Sequence, residues 1–529
     1  MKRNNLYGLI LAGALLASGC TDDFSEINTD PKNLTVDQIT QADYGPIVKG
    51  AQYAPVHFSN STGPRGGFQI TQSLFSDIYA NYFATTAANF DSDRYTLVGS
   101  WLNQSFNYFY GQAAPQIKNA EDIAARNGLE LEGAMMQAWR VWAYQRITDF
   151  WGPIPYSQFG NGSNSVGYDS QEEIYRSFFL TLDSAVTVLK ANAGETSFLA
   201  GNDLIFGGSV DQWLKFTNTL RLRIAIRSRY ADPGLAQTEA EKAVADGVMT
   251  SNDDNALIPA TADFANPYNT ITQWGEFRMS ADMESILKGY KDPRIEAYAA
   301  PAADPDPSDD PEGVEFPYEG MRNGQSKLDK QSIDFNNLAS DMSDPYTALG
   351  AAGPDWQVML AAESAFLRAE GALVGWNMGG TAQELYEQGV TLSLEQNGYG
   401  TTNLAGEDYL TSGNLPASYD GTTPPASQAP VAFQAGGSEE EQLEQIITQK
   451  WIALYPDSRE AWAEKRRTGY PVVYARLSTD NTSIPVDLTP RRVTFVDGEF
   501  TNNESGVAEG ISALGGADNG ATRLWWDKK

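Results

Sequence analysis

The stretch that most constrains this chain is Asp355–Gly400, DWQVMLAAESAFLRAEGALVGWNMGGTAQELYEQGVTLSLEQNGYG. Leu360, Glu363, Leu367, Gly371 and Val374 recur at spacings of three and four, which places them on one helix face. Asn377-Met378-Gly379-Gly380 then supplies two glycines free to take positive φ, and Thr381 stands where the next helix needs an N-cap. Beyond it Ala382, Tyr386 and Gly389 alternate small, large and small, so that one helix nests against the other. The sequence predicts two antiparallel helices joined by a tight turn, a scaffold unit whose siblings should recur along the chain.

The unit approximates a tetratricopeptide helix pair, and comparable patterns precede and follow it. Phe68–Ala88 sets Leu74, Ile78 and Tyr82 four apart, and Trp101–Ala120 reads as helical with an interruption at Pro115. Leu129–Phe150 is a strong helix ended by Trp151-Gly152-Pro153, with Gln171–Ala191 as its partner. Asp211–Tyr230 aligns Trp213, Phe216, Leu220 and Ile224, and a short helix Thr238–Gly247 follows. Its arginines, Arg221, Arg223, Arg227 and Arg229, lie on other faces, where pairing with carboxylates is expected over an acidic-ligand site. Glu439–Gly469 is helical, with Lys465-Arg466-Arg467 in the last turn before Gly469 and Pro471. Pro471–Lys529 reads as mostly extended.

The remaining stretches are irregular. Ser251–Asp355 is rich in Asp, Pro, Gly and Asn, with only Ser280–Tyr290 plainly helical, and Leu404–Gly437 is similar. A long irregular insertion in a helical scaffold is where binding residues usually sit. DPDPSDD, Asp304–Asp310, lacks the glycine and closing glutamate of a calcium loop and reads as a solvated acidic loop.

Among 529 residues, 37 are basic and 68 acidic, a net charge of −31. That charge repels nucleic-acid phosphates, so no nucleic-acid partner is expected. One cysteine, Cys20, and one histidine, His57, leave no Cys/His metal site and no internal disulfide. No metal or other cofactor is expected. A nucleophilic triad would have to use His57, in the loop-like run YAPVHFSNSTGPRGG.

The N-terminus gives Cys20 a different role. Lys2 and Arg3 precede the apolar run Leu6–Ala17, about 12 residues and too short to span a bilayer. Leu15-Leu16-Ala17-Ser18-Gly19-Cys20 resembles a bacterial lipobox, which implies a signal peptide over residues 1–19 and lipidation at Cys20. Several acyl chains on one residue hold a protein on a membrane where one barely would. The acidic Thr21-Asp22-Asp23-Phe24 that follows resembles the surface-export signal of Bacteroidetes lipoproteins.

Seven further segments carry a specific resemblance. They are ITDFWGPIPYSQ (Ile147–Gln158), WLKFTNTLRLRIAIR (Trp213–Arg227), KDPRIEAY (Lys291–Tyr298), ESAFLRAEGALVGW (Glu363–Trp376), ITQKWIALYPDSREAWAEKRRTGYP (Ile447–Pro471), PRR (Pro490–Arg492) and LWWD (Leu524–Asp527). Spread in order over nearly the whole chain, they resemble the SusD/RagB family of nutrient-binding outer-membrane lipoproteins. The resemblance implies a mainly α fold in a single domain over residues 20–529. Four tetratricopeptide-like helix pairs would form a convex scaffold, mainly 68–250 and 355–470. An irregular ligand-facing lobe would comprise mainly 251–355, with 404–437 and 471–529. It also implies a cell-surface lid without enzyme activity that delivers a glycan or peptide to a SusC-like TonB-dependent outer-membrane transporter.

The resemblance locates the ligand only by region: the loop after the first helices and the Ser251–Asp355 insertion. Sugar rings present C–H groups to aromatic faces and hydroxyls to amides and charges. The candidate ligand residues there are Tyr82, Phe83, Asn89, Phe90, Trp274, Tyr318 and Tyr346, with Tyr82, Phe83 and Phe90 expected as an exposed platform. The alternative is a surface glycoside hydrolase, which needs two carboxyl groups about 5–10 Å apart in a cleft.

Overall fold

Capping chemistry explains where the long helices begin. The computed structural model describes residues 40–56, 67–163, 165–348 and 350–529. Cys20 and His57 lie outside them. Contacts divide the chain into Met1–Tyr44, of which only residues 40–44 are described, and Gly45–Lys529, which holds all the elements below.

Eight helices form four successive antiparallel pairs: α1 (Glu130–Trp151) with α2 (Gln171–Ala191), α3 (Val210–Ser228) with α4 (Pro233–Asp246), α5 (Ala361–Leu373) with α6 (Ala382–Gln396), and α7 (Glu439–Leu454) with α8 (Ser458–Thr468). Capping boxes open α2 (Ser170 with Glu173), α6 (Thr381 with Glu384) and α7 (Ser438 with Glu441). Asp232 caps α4 with Pro233 in its first turn, so this helix starts earlier than the Thr238 expected. Pro456 divides the helical stretch Glu439–Gly469 in two, because it has no N–H to continue α7. Gly469, at φ +86°, ends α8.

The small residues of the opening unit act as expected. A Cβ on Gly389 would lie 2.8 Å from the Phe366 ring, and one on Gly371 would lie 2.6 Å from Met378 Sδ. These contacts let α5 and α6 approach closely. Around Pro115 the chain remains helical, because the wide turn Phe109–Ala113 places Pro115 at the start of Ala114–Asn127, where no N–H is needed.

The arginines of α3 are structural. Arg223 forks Glu363 (2.7 and 2.6 Å), joining α3 to α5. Arg227 donates to Asp149 at the end of α1 (2.5 Å), to Glu464 (3.0 Å) and to Glu460 on α8. Arg467 of α8 forks Glu370 of α5 (2.6 Å twice). One helix from each pair thus meets in a single buried network. Charges this deep persist only when each has partners, as the i,i+4 spacings Arg223/Arg227 and Glu460/Glu464 provide.

Two short antiparallel ribbons build the lobe. β2 (Ala256–Ile258) pairs with β4 (Trp356–Met359), closing the insertion at its base. β1 (Phe83–Thr85) pairs with β3 (Phe277–Met279), in the register Phe83↔Met279 and Thr85↔Phe277. This second ribbon joins the loop after the first helices to the insertion, the two regions the sequence singles out. The insertion holds more short helices than expected, including Pro267–Thr272 and Lys327–Ser332. The C-terminal region, read as extended, contains Asp497–Asn502 and Glu504–Leu514. Gly506 and Gly510 lie tight on Val166 and Tyr168 there, so packing rather than helix propensity holds the second of these.

Candidate functional site

The β1–β3 ribbon gathers most of the residues singled out from sequence, but it covers many of their ring faces. Tyr82 is fully buried: its hydroxyl donates to the Trp451 carbonyl (2.5 Å) and its ring packs on Trp451 and Tyr455. Phe83 is buried between Tyr268 and Tyr455. Phe90 packs edge-on to Trp101 and against Phe277. Tyr346 lies edge-on to Tyr268, also buried. The exposed platform expected of Tyr82, Phe83 and Phe90 is therefore corrected: these rings are the packed floor of the lobe, as is Tyr346. Alternation in β1 does not expose one side because both sides of the ribbon are covered. Tyr318 lies elsewhere, half-buried against Phe316, where burial raises its phenol above the ordinary value.

Trp274 and Asn89 remain at the surface. Trp274 is 41% exposed, while its neighbours Ile271 and Phe277 are buried. The short helix Pro267–Thr272, capped by Asn266, ends in a turn in which Gly275 takes φ +64° and leads into β3. That turn leaves Trp274 outside the ribbon. Thr86 donates from its N–H to the Glu276 carbonyl (3.0 Å) and from its hydroxyl to the Gly275 carbonyl (2.7 Å), fixing the Asn89 loop beside the Trp274 turn. Gln69 donates to Glu276 (2.6 Å), whose carboxyl burial holds above the usual range.

Asn336, absent from the sequence expectations, completes this rim. It lies 3.4 Å from where a Cβ on Gly275 would stand. The Asn336 and Asn89 carboxamides are exposed and make no hydrogen bond among the described residues. An exposed indole with free amides on the adjoining loops suits a sugar ring with its hydroxyls. Nothing local marks Asn336 in the sequence, because the φ of Gly275 brings it there. A second aromatic surface was also missed: Arg322 lies over Tyr474 (4.7 Å) and Tyr419 (5.7 Å), from three separate segments.

Asp77 and Asp341 line one cavity of about 10 Å³, room for a single water and none for a sugar ring. Burial pushes Asp77 up to about 6 against the hydrogen bonds from Ser458 and Tyr268. Arg278 pairs with Asp341 at 3.2 Å. This pair does not have the cleft that glycoside hydrolysis needs. Among the described residues no group of three or more His, Cys, Asp or Glu is placed to hold a metal. In the acidic run, Asp309 pairs with Lys288 (2.7 Å) and Asp306 caps a short turn.

Four helix pairs carrying an irregular lobe with an exposed indole define a helical-repeat binding scaffold. The chain belongs to the SusD-like family, Susd and RagB outer membrane lipoproteins, whose family model matches residues 26–527. Similar solved structures include a chitin-binding SusD homologue from Flavobacterium johnsoniae, with 37% identity and a TM-score of 0.81 over 92% of this chain and 98% of that one. A SusD-like protein from Bacteroides thetaiotaomicron shares 31% identity with a TM-score of 0.81, covering 92% and 99% of the two chains. A SusD homologue from Bacteroides vulgatus shares 32% with a TM-score of 0.80, covering 92% and 98%. None of the curated proteins compared with the chain matches it. Among the described residues no helix is long and apolar enough to cross a membrane.

Proposed function

We propose that this protein is a cell-surface lipoprotein that binds a glycan at the Trp274 rim and passes it to a SusC-like TonB-dependent transporter. The observation that carries the reading is the exposed Trp274 side chain, with Asn336 packed near the adjacent Gly275 and the Asn89 loop tied to the same turn, in a family member 37% identical to a chitin-binding homologue. Residues 1–19 act as the signal peptide, and lipid on Cys20 anchors the mature chain, residues 20–529, as one domain on the outer face of the outer membrane. The helix pairs dock on the transporter while the lobe turns toward the cargo. The protein binds and hands over without catalysis.

Isothermal titration with chitopentaose tests the site. Stacking on one ring is worth on the order of 1 kcal/mol, so Trp274→Ala should weaken binding by roughly tenfold and by less than ~100-fold, with the melting temperature unchanged. Asn336→Ala should weaken it by a smaller factor. Full-strength binding by both variants overturns the placement of the site. Binding of an extended peptide in place of the glycan overturns the ligand class. Co-purification of a large outer-membrane barrel with the tagged protein tests the partner, and its absence from native membranes counts against delivery.

A further inference from the structure

The C-terminal segment and the start of α2 enclose a groove of about 550 Å³, within the roughly 300–1,000 Å³ typical of small-molecule sites. None of its lining belongs to the Trp274 rim. Pro153, Leu514 and Trp525 form its apolar side. Trp525 leans on Tyr175 with ring centroids 5.4 Å apart, and its backbone N–H donates to Gln171 Oε1 (2.9 Å). Its indole N–H donates to no acceptor among the described residues.

Two cations face this apolar side. Among the described residues Arg523 hydrogen-bonds only through Nη1, to Asp527 Oδ1 (2.8 Å) and to the Lys529 and Asp527 main-chain oxygens. Its Nε and Nη2 are left to fork an anion. The Lys528 ammonium forms no salt bridge among the described residues. The carboxylate opposing them in the lining is Glu172, which Arg176 engages at 2.9 Å. The start of α2 is already capped by Ser170 and Glu173, so it contributes its dipole more than free N–H groups. The whole chain carries −31, but screening over about 8 Å at physiological ionic strength leaves the nearby charges in control.

We propose that this groove is a second ligand site, taking a saccharide unit that bears a carboxylate, with its ring on Trp525 and its carboxylate on the Arg523 fork beside Lys528. The saccharide class rests on the glycan reading above, whereas the location is independent of the Trp274 rim.

Titration calorimetry on the purified full-length protein with trigalacturonate, its methyl ester and chitotriose tests this site. Trigalacturonate binding should fall at least tenfold on esterification and at least tenfold in Arg523→Gln/Lys528→Gln, and it should weaken as salt rises. Trp274→Ala should leave it unchanged while weakening chitotriose. Because Arg523 also holds Asp527, Lys528→Gln alone, which breaks no protein contact, should weaken trigalacturonate at least threefold at an unchanged melting temperature. The proposal is overturned if the ester binds as well as the acid, if Lys528→Gln has no effect, if trigalacturonate does not bind, or if triglutamate binds equally well. If trigalacturonate fails while chitotriose still depends on Trp274, the groove alone is refuted. The converse refutes the Trp274 reading and leaves the groove.

Discussion

Arg227→Met removes the centre of the buried network while keeping most of the side-chain volume. Arg227 contacts Asp149, Glu460 and Glu464, and all four groups are buried. The arginines and Lys450 hold Glu460 down to about 2 despite its burial, with Arg227 the largest attraction. Each attraction that lowers this pKa adds folding stability for the carboxylate at pH 7. Losing the cation removes one shared counter-charge from three buried carboxylates, with Lys450 and Arg467 still beside Glu464 and Tyr175 and Trp526 still on Asp149, so a loss of about 3–5 kcal/mol is expected. Unfolding entropy of ~2.1 cal/mol/K per residue over roughly 490 residues is about 1 kcal/mol/K, which turns that loss into a melting-temperature drop of about 3–5 °C at pH 7. Because the folded Glu460 pKa is depressed, its contribution is fully present above pH 4.5 and is lost as pH falls toward 2. The gap between variant and wild type should therefore narrow in that window. Scanning calorimetry measures both effects, with Arg176→Ala as a control. Arg176 is 47% exposed and among the described residues pairs only with Glu172 and Asp232, so its loss should move the melting temperature by less than 1 °C. If Arg227→Met melts within 1 °C of wild type, the network does not hold the pairs together.

Gly389→Val should destabilise by about 1–3 kcal/mol or more, because its side chain would enter the Phe366 ring; an unchanged denaturation midpoint would show that α5 and α6 can separate at no cost. Asp77 has a raised folded pKa of about 6, so the native state binds more protons between pH 3.8 and 6 and this group lowers stability as pH rises through that range, by up to about 3 kcal/mol. In Asp77→Asn, the melting temperature should rise relative to wild type across that interval and level off above it; a pH-independent difference would refute the shift. Cys20→Ala should move the protein from the membrane fraction to the soluble fraction, and wild-type recovery in membranes would refute the anchor.

Periodicity marked most of the scaffold helices, and the family resemblance supplied the four pairs. Stripes such as Leu360–Leu367 and Trp213–Ile224 force helices to pair, because each buries its apolar face only on a neighbour, and small residues such as Gly371 and Gly389 show how close those neighbours come. The arginines of α3 were legible as ion-pair formers because they lie off its apolar face in a chain with an excess of carboxylates. The boundary at Pro456 and the helix Glu504–Leu514 were less legible, the latter because contacts with Val166 and Tyr168 outweigh its own weak propensity. The candidate site divided in the same way. The family resemblance pointed to the loop after the first helices and to the insertion, but it did not distinguish an aromatic that faces solvent from one that supports the floor. That distinction depends on the β1–β3 register, which buries Phe83 and Phe277, and on the φ of Gly275, which turns Trp274 outward beside Asn336. Residues from about 60 to about 370 positions apart meet at that ribbon. Exposure there is a property of the assembled lobe, because pairing between distant segments, not the local pattern, decides which side of each ring is covered.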